Sequence, residues 1–227
     1  MSIYGRFFAA VYDRMMAATE KDGLSAHRAA IVSQATGEVL EIGGGTGANL
    51  RHYGPGVTRL TITEPEQPMA KRVQARIAEH APEARFLRAP AEDLPFADDS
   101  FDTAVSTLVL CTVDDQPRAV RELRRVLRPG GRLLFMEHVR ADDPKLARLQ
   151  DRMLPINRRI AHGCHCNRPT LETIRAAGFE VTELEHDTMA HAPKFIRPLI
   201  VGAARVSGAR VDVVDPVDAL GVGLDVG

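Results

Sequence analysis

The chain has 227 residues, 44% of them hydrophobic and 26% charged, and a formal net charge of −1. That length builds a full hydrophobic core, and the near-neutral balance supplies no global field to gather nucleic acid. Three cysteines, Cys111, Cys164 and Cys166, are too few for a disulfide scaffold and fit a reducing cytoplasm; no apolar run approaches the ~18 residues of a membrane span.

The first 36 residues read as a helical N-terminal segment. Tyr4, Phe7, Phe8, Val11, Tyr12, Met15 and Met16 recur at helical spacing, and a second helix is expected over Ser25–Ala35. An apolar face of this kind packs on the domain, closes as a lid over a ligand, or rests on a membrane surface, and the spacing alone leaves all three open. From residue 37 to 206 strand-like and helix-like blocks alternate. Strands are expected at Val39–Ile42, Leu60–Glu64, Ala84–Ala89, Thr103–Thr107, Leu133–Glu137, Glu180–Glu185 and Ile196–Ala203. Helices are expected at Pro68–His80, Gln116–Leu127 and Thr170–Ala177. The alternation predicts an α/β sheet with helices on both faces. The RPGG string at Arg128–Gly131 punctuates the end of a helix and turns the chain into the next strand. Residues 207–227, rich in Gly and Asp and free of lysine, predict a poorly ordered tail.

One stretch, VLEIGGGTGANL, places Gly43, Gly44, Gly45 and Gly47 between an apolar run and a polar segment. Glycine in a rigid element costs roughly 0.5–1 kcal/mol relative to alanine, so a sharp turn or a close ligand must require it. The spacing is neither GxGxxG nor GxxxxGK[ST], which disfavours a dinucleotide fingerprint and a phosphate-cradling P-loop. About 20 residues further on, Glu64 ends the second expected strand, where a carboxylate can accept both hydroxyls of a ribose. A short acidic loop within Ala89–Ser106 follows the third.

The order EIGGGTG, TEP, AEDLPF…SFD and VLRPGGRLLFMEH resembles that of the class I S-adenosylmethionine (SAM) methyltransferases, over Val39 to Gly178. The resemblance implies a Rossmann-like, seven-stranded sheet with an antiparallel last strand, supplied near Ile196–Ala203. It implies SAM as cofactor and a small-molecule acceptor. Carried onto matching positions, it implies that Gly43, Gly45 and Gly47 line the methionine and ribose, and that Glu41 orients the amino group. Glu64 would bind the ribose hydroxyls, and Pro65 and Met69 would flank the adenine. Ala91 and Glu92 would lie at the adenine edge and Thr107 at the methionine end. Pro90 stands where many relatives carry an aspartate for the adenine amino group, so either Glu92 takes that work or the contact is missing. Further on, STLVLCTVDD, FMEHV and HGCHCNRPTLETIRAAGF are similar to the alkyl-thiol methyltransferases, implying a thiol acceptor. The phospholipid and quinone methyltransferase groups share the first half of that pattern. A phosphatidylethanolamine or quinone-precursor methyltransferase working at a membrane surface is therefore the alternative, and a non-catalytic SAM-binding regulator is the alternative of another class.

If the acceptor is a thiol, the thiolate is the nucleophile and needs a base. His138 is the first candidate, because it ends the fifth expected strand, where open α/β sheets place their ligand crevice; Glu137 beside it is the second. The string His162-Gly163-Cys164-His165-Cys166 invites a metal reading. Four ligands so close together do not wrap one ion, so a pocket wall or packed turn is expected and no metal, with a redox-sensitive dithiol as the alternative. Arg168 either positions an acidic substrate group or pairs with a carboxylate.

Overall fold

The computed structural model of the protein describes residues 3–207. The tail expected over 207–227 lies outside the described residues from residue 208 onward, as do the side chains of Tyr4 and Phe8. Helix α1 (Ile3–Thr19) continues into a short π segment, Glu20–Leu24, broken where Gly23 takes φ +137°, and restarts as α2 (Ser25–Val32). Asp13 of α1 forms ion pairs with Arg76 and Arg72, and Leu24, Ile31, Val32 and Ala35 of the residues that follow are part of the same core as the sheet.

The domain then runs β1 (Gly37–Ile42), β2 (Val57–Thr63), α3 (Gln67–His80), β3 (Arg85–Leu87), β4 (Phe101–Thr107) and α4 (Gln116–Val126). It continues through β5 (Leu127–His138), α5 (Pro144–Ile160), α6 (Thr170–Ala176), β6 (Phe179–Thr188) and β7 (Pro198–Val206). The strands form one seven-stranded sheet in the order β3-β2-β1-β4-β5-β7-β6. The pairs among β3, β2, β1, β4 and β5 are parallel, and β7 runs antiparallel to both β5 and β6. The expected Rossmann-like sheet with an antiparallel last strand is the one observed.

Central strands buried on both faces carry nearly continuous apolar runs, which is why alternation is weak in them. Leu40, Ile42, Leu133 and Phe135 pack with Val120 and Leu123 of α4. On the other face Val39, Ile62, Leu134 and Met136 pack with Ile31, Val32, Val73 and Ile77 of α2 and α3. Each such side chain contributes roughly 1.5–3 kcal/mol on burial.

Two features depart from the expectation. RPGG does not separate α4 from β5 but lies inside β5: pairing with β4 jumps from Phe101–Leu127 to Thr103–Arg132, and Gly130, at φ +77°, carries the bulge. Pro129 pushes the preceding residue out of the helical region, so the strand begins before the turn does. Helix α5 was not anticipated at all. Asp143 caps it by accepting the Lys145 N–H at 3.0 Å, and Pro144 occupies its first turn. Its buried face is built partly from Gln150 and Asn157, while Leu149, Ile156 and Ile160 point outward.

Candidate active site

In the sheet, β1 lies between β2 and β4, and the chain order reverses there, so the loops leaving the C-terminal ends of β1 and β4 part to form a crevice. The glycine loop follows β1. Gly43 has φ +58°, and a Cβ there would lie 2.6 Å from a methyl of Val109, so only glycine lets the loop cross this close to the chain leaving β4. Gly45 also has positive φ, +56°, but a Cβ on it would meet nothing nearer than the Gly43 carbonyl at 3.8 Å. Its bare backbone therefore faces open space. The neighbouring Thr46 hydroxyl is buried and has no hydrogen-bond partner among the described residues. An open cradle beside an unpartnered buried hydroxyl fits a polar ligand seated on the loop.

Glu64, just past β2, closes the cradle. One carboxylate oxygen accepts the Gly45 N–H at 2.9 Å and the other accepts the Glu66 N–H at 2.9 Å. Burial raises its pKa, and these two backbone bonds oppose the rise.

Beneath the loop lies a polar network that the sequence reading did not assemble. Glu41 accepts from Asn49 Nδ2 at 3.0 Å and from the Tyr53 hydroxyl at 2.7 Å. Asn49 Nδ2 also reaches Thr107 Oγ1 at 2.9 Å, and buried Arg28 donates to Thr107 Oγ1, to Asn49 Oδ1 and to Glu20. Desolvation raises the Glu41 pKa to about 7 against these hydrogen bonds, and burial next to Glu41 holds the Tyr53 phenol well above its ordinary value. Glu41, the glycine loop, Glu64 and Thr107 are thus gathered at one end of the sheet. Arg28, Asn49 and Tyr53 join them without any short-range signal in the sequence. A cavity of about 340 Å³ lies alongside, between α1, the loop and α3, lined in part by Tyr12, Met16, Thr46, Gly47 and Arg76.

Toward the expected adenine end, Met69 and Ala91 are buried and Pro65 is exposed, its carbonyl accepting from Arg88 at 2.8 Å. Glu92 is half-buried and accepts the Asp114 and Asp115 N–H groups at 2.8 and 3.2 Å, tying the loop after β3 to the start of α4.

The opposite end is built by β4 and β5. Leu108, the first residue past β4, sits at φ +60°, a left-handed conformation that costs a side-chain-bearing residue roughly 1–2 kcal/mol. Buried Glu137 holds this turn: it accepts from Ser106 Oγ at 2.7 Å, from Val109 N at 3.1 Å and from Cys111 N at 3.3 Å. His138 is buried beside it. Its Nδ1 lies 3.7 Å from Cys111 Sγ and 3.6 Å from Cys164 Sγ, and its Nε2 has no partner among the described residues. The contact between the two sulfurs, then burial, pushes the Cys111 thiol up; the same contact and the His138 ring hold the Cys164 thiol down against burial. Of the HGCHC string, only Cys164 joins this cluster. Arg168 forms no ion pair with a carboxylate among the described residues; it donates to the Leu110 carbonyl at 2.8 Å and the Asp114 carbonyl at 3.4 Å.

Comparison with known proteins places these features in a family. Residues 40–135 match the family described as "Methyltransferase domain". The chain is 35% identical over 201 residues to the human thiol S-methyltransferase TMT1A, covering 87% of this chain and 82% of that protein. It is 38% identical over 170 residues to the rat thiol S-methyltransferase TMT1B, covering 73% and 69% respectively. The N-methyltransferase NodS from Bradyrhizobium japonicum, solved with S-adenosylhomocysteine, shares the fold at a TM-score of 0.61 and 20% identity, over 83% of this chain and 87% of that one. The sheet, the glycine loop and these likenesses define a class I methyltransferase that uses SAM to methylate a small molecule. More particularly, the chain belongs to the family of the thiol S-methyltransferases TMT1A and TMT1B. No helix among its described residues is long and apolar enough to cross a membrane.

Proposed function

We propose that the acceptor is a small thiol and that His138 takes its proton. The observation that carries this reading is the Nε2 of a buried histidine at the end of β5, which has no hydrogen-bond partner among the described residues. An imidazole nitrogen left open in such a place is suited to accept the S–H proton as the sulfur becomes a nucleophile. Named relatives act on thiols, which supports the same reading.

In this proposal Gly43, Gly45 and Gly47 hold the methionine and ribose portions of SAM, Glu64 the ribose hydroxyls and Glu41 the amino group. Pro65, Met69, Ala91 and Glu92 border the adenine, and Thr107 the methionine end. SAM supplies an activated methyl group on a sulfonium. The chain's own work is to fix the acceptor sulfur in line behind that methyl, at about 3 Å, and to exclude water. Glu41 and Glu64 stand on the amino group and ribose, away from the sulfonium. A carboxylate touching that centre would stabilise the charge that the reaction removes. Glu137 supports the turn that carries Cys111 and stands next to His138 in the chain.

The test is incubation with methyl-labelled SAM and a panel of thiols, amines, phenols and phospholipid vesicles. Label is expected on the thiols. Transfer confined to amines, phenols or lipid would overturn the thiol reading, and tight SAM binding with no transfer to any acceptor would favour a regulator.

A further inference from the structure

Cys111, His138 and Cys164 come from three separate segments, namely the turn after β4, the end of β5 and the loop after α5. We propose that they form a binding site for a thiophilic divalent ion of the zinc type. The inference goes beyond the methyl-transfer reading and rests on it only in the consequence drawn for His138.

His138 Nδ1 lies 3.7 Å from one sulfur and 3.6 Å from the other. A ring nitrogen has one lone pair or one proton, so it can answer only one of them as a hydrogen-bond partner. A cation answers all three at once. Zinc–sulfur bonds of about 2.3 Å and zinc–nitrogen bonds of about 2.0–2.1 Å at tetrahedral angles set a sulfur–nitrogen edge of about 3.6 Å and a sulfur–sulfur edge of about 3.8 Å. The two observed sulfur–nitrogen distances match that edge, and all three ligand atoms lie within 4.8 Å of one another.

The electrostatics agree. Two thiolates and a neutral imidazole balance a dication, so all three buried side chains can ligate without leaving a net charge in the interior. The frame is fixed from outside the cluster: Cys111 O accepts from His165 N at 2.7 Å, Cys164 O accepts from Asn157 Nδ2 at 2.8 Å, and Glu137 holds the Cys111 amide. Three protein ligands leave one tetrahedral corner for an exchangeable group, as catalytic rather than structural sites do. The close-packed HGCHC string still does not wrap an ion. The ligands are instead drawn from distant parts of the chain; Cys166 packs in the same buried cluster as Cys111 and Cys164, but its thiol is outside the group of ligand atoms within 4.8 Å of one another. An ion on Nδ1 requires the ring proton on Nε2, so metal and acceptor proton would compete for one imidazole.

The experiment titrates the full-length, reduced and metal-free protein with Co²⁺ alone, with no SAM or acceptor. A saturable sulfur-to-cobalt charge-transfer band in the near ultraviolet is expected, and Zn²⁺ should displace it. Cys111→Ser and Cys164→Ser should each remove or strongly weaken the band, and Cys166→Ser should keep it. SAM calorimetry on every variant reports whether the domain is still folded. No band in the wild-type protein overturns the proposal, as does a band that survives loss of both Cys111 and Cys164. Because no acceptor takes part, an error about the thiol leaves this result unchanged.

Discussion

The carboxylate of Glu64 accepts the Gly45 amide at 2.9 Å, joining the end of β2 to the bare backbone of the loop after β1. If Glu64 also grips the ribose, Glu64→Ala removes two charge-assisted bonds. SAM affinity should then fall by roughly 1–3 kcal/mol, about 5- to 150-fold. Isothermal calorimetry measures this directly. An unchanged Kd would place the ribose elsewhere.

Gly43 combines left-handed backbone with contact against Val109. Gly43→Ala should lose about 1–2 kcal/mol from the backbone alone, plus the cost of moving Val109. Adding Val109→Ala should relieve the overlap but not the backbone strain, so urea denaturation should show only partial recovery. Full recovery would mean that the φ angle is not restrictive.

Glu41 gives the protein a stability that declines with pH. Its folded pKa is raised from 4.5 to about 7, chiefly by desolvation. Between those values the native state holds more protons than the unfolded state, so unfolding free energy falls as pH rises through that window. The drop should be on the order of 2–4 kcal/mol. Glu41→Gln, which cannot ionise, should flatten the slope in urea melts taken from pH 4.5 to 8. A slope unaffected by the substitution would locate the titration in another group.

His138→Asn should lower kcat for thiol methylation by about 10²–10⁴-fold, the range expected for losing a general base. SAM affinity should stay within error, because no cofactor contact is assigned to this ring. A matching loss of SAM binding would make the histidine a structural residue of the crevice.

Gln150 bridges α5 to the site wall. Its Nε2 lies 3.0, 2.7 and 3.1 Å from the carbonyls of Val139, Cys166 and Phe195. Gln150→Leu fits the space but abandons buried acceptors, at about 1–3 kcal/mol for each left unsatisfied. Thermal melts should show a clear loss; an unshifted Tm would mean that water replaces the amide.

The sheet was legible because β1, β2, β4 and β5 each carry a short stretch rich in apolar and β-branched residues, set off by turn residues. The glycine loop was legible because so many glycines have no role in a plain strand. Glu41, Glu64 and Thr107 lie at or next to strand ends, positions that are legible in the sequence. Arg28, Asn49 and Tyr53 were not legible, because side chains scattered along the chain are joined only by tertiary folding. Helix α5 was hidden for a different reason. Gln150 and Asn157 are among the residues it turns inward, and Leu149, Ile156 and Ile160 face out, so its apolar spacing signals the wrong face. The cluster of Cys111, His138 and Cys164 is not legible in the sequence because its members lie on three separate segments that only the tertiary fold brings together.

The last strand among the described residues, β7, does not lie at the rim of the sheet but is wedged between β5 and β6. A nascent chain emerging from the ribosome therefore holds β5 and β6 apart until residues near Val206 have been released, with hydrogen-bonding edges bare on both sides of the gap. A truncation even a few residues short of β7 should leave those edges free to recruit other chains, so premature termination is expected to yield insoluble material rather than a smaller working enzyme.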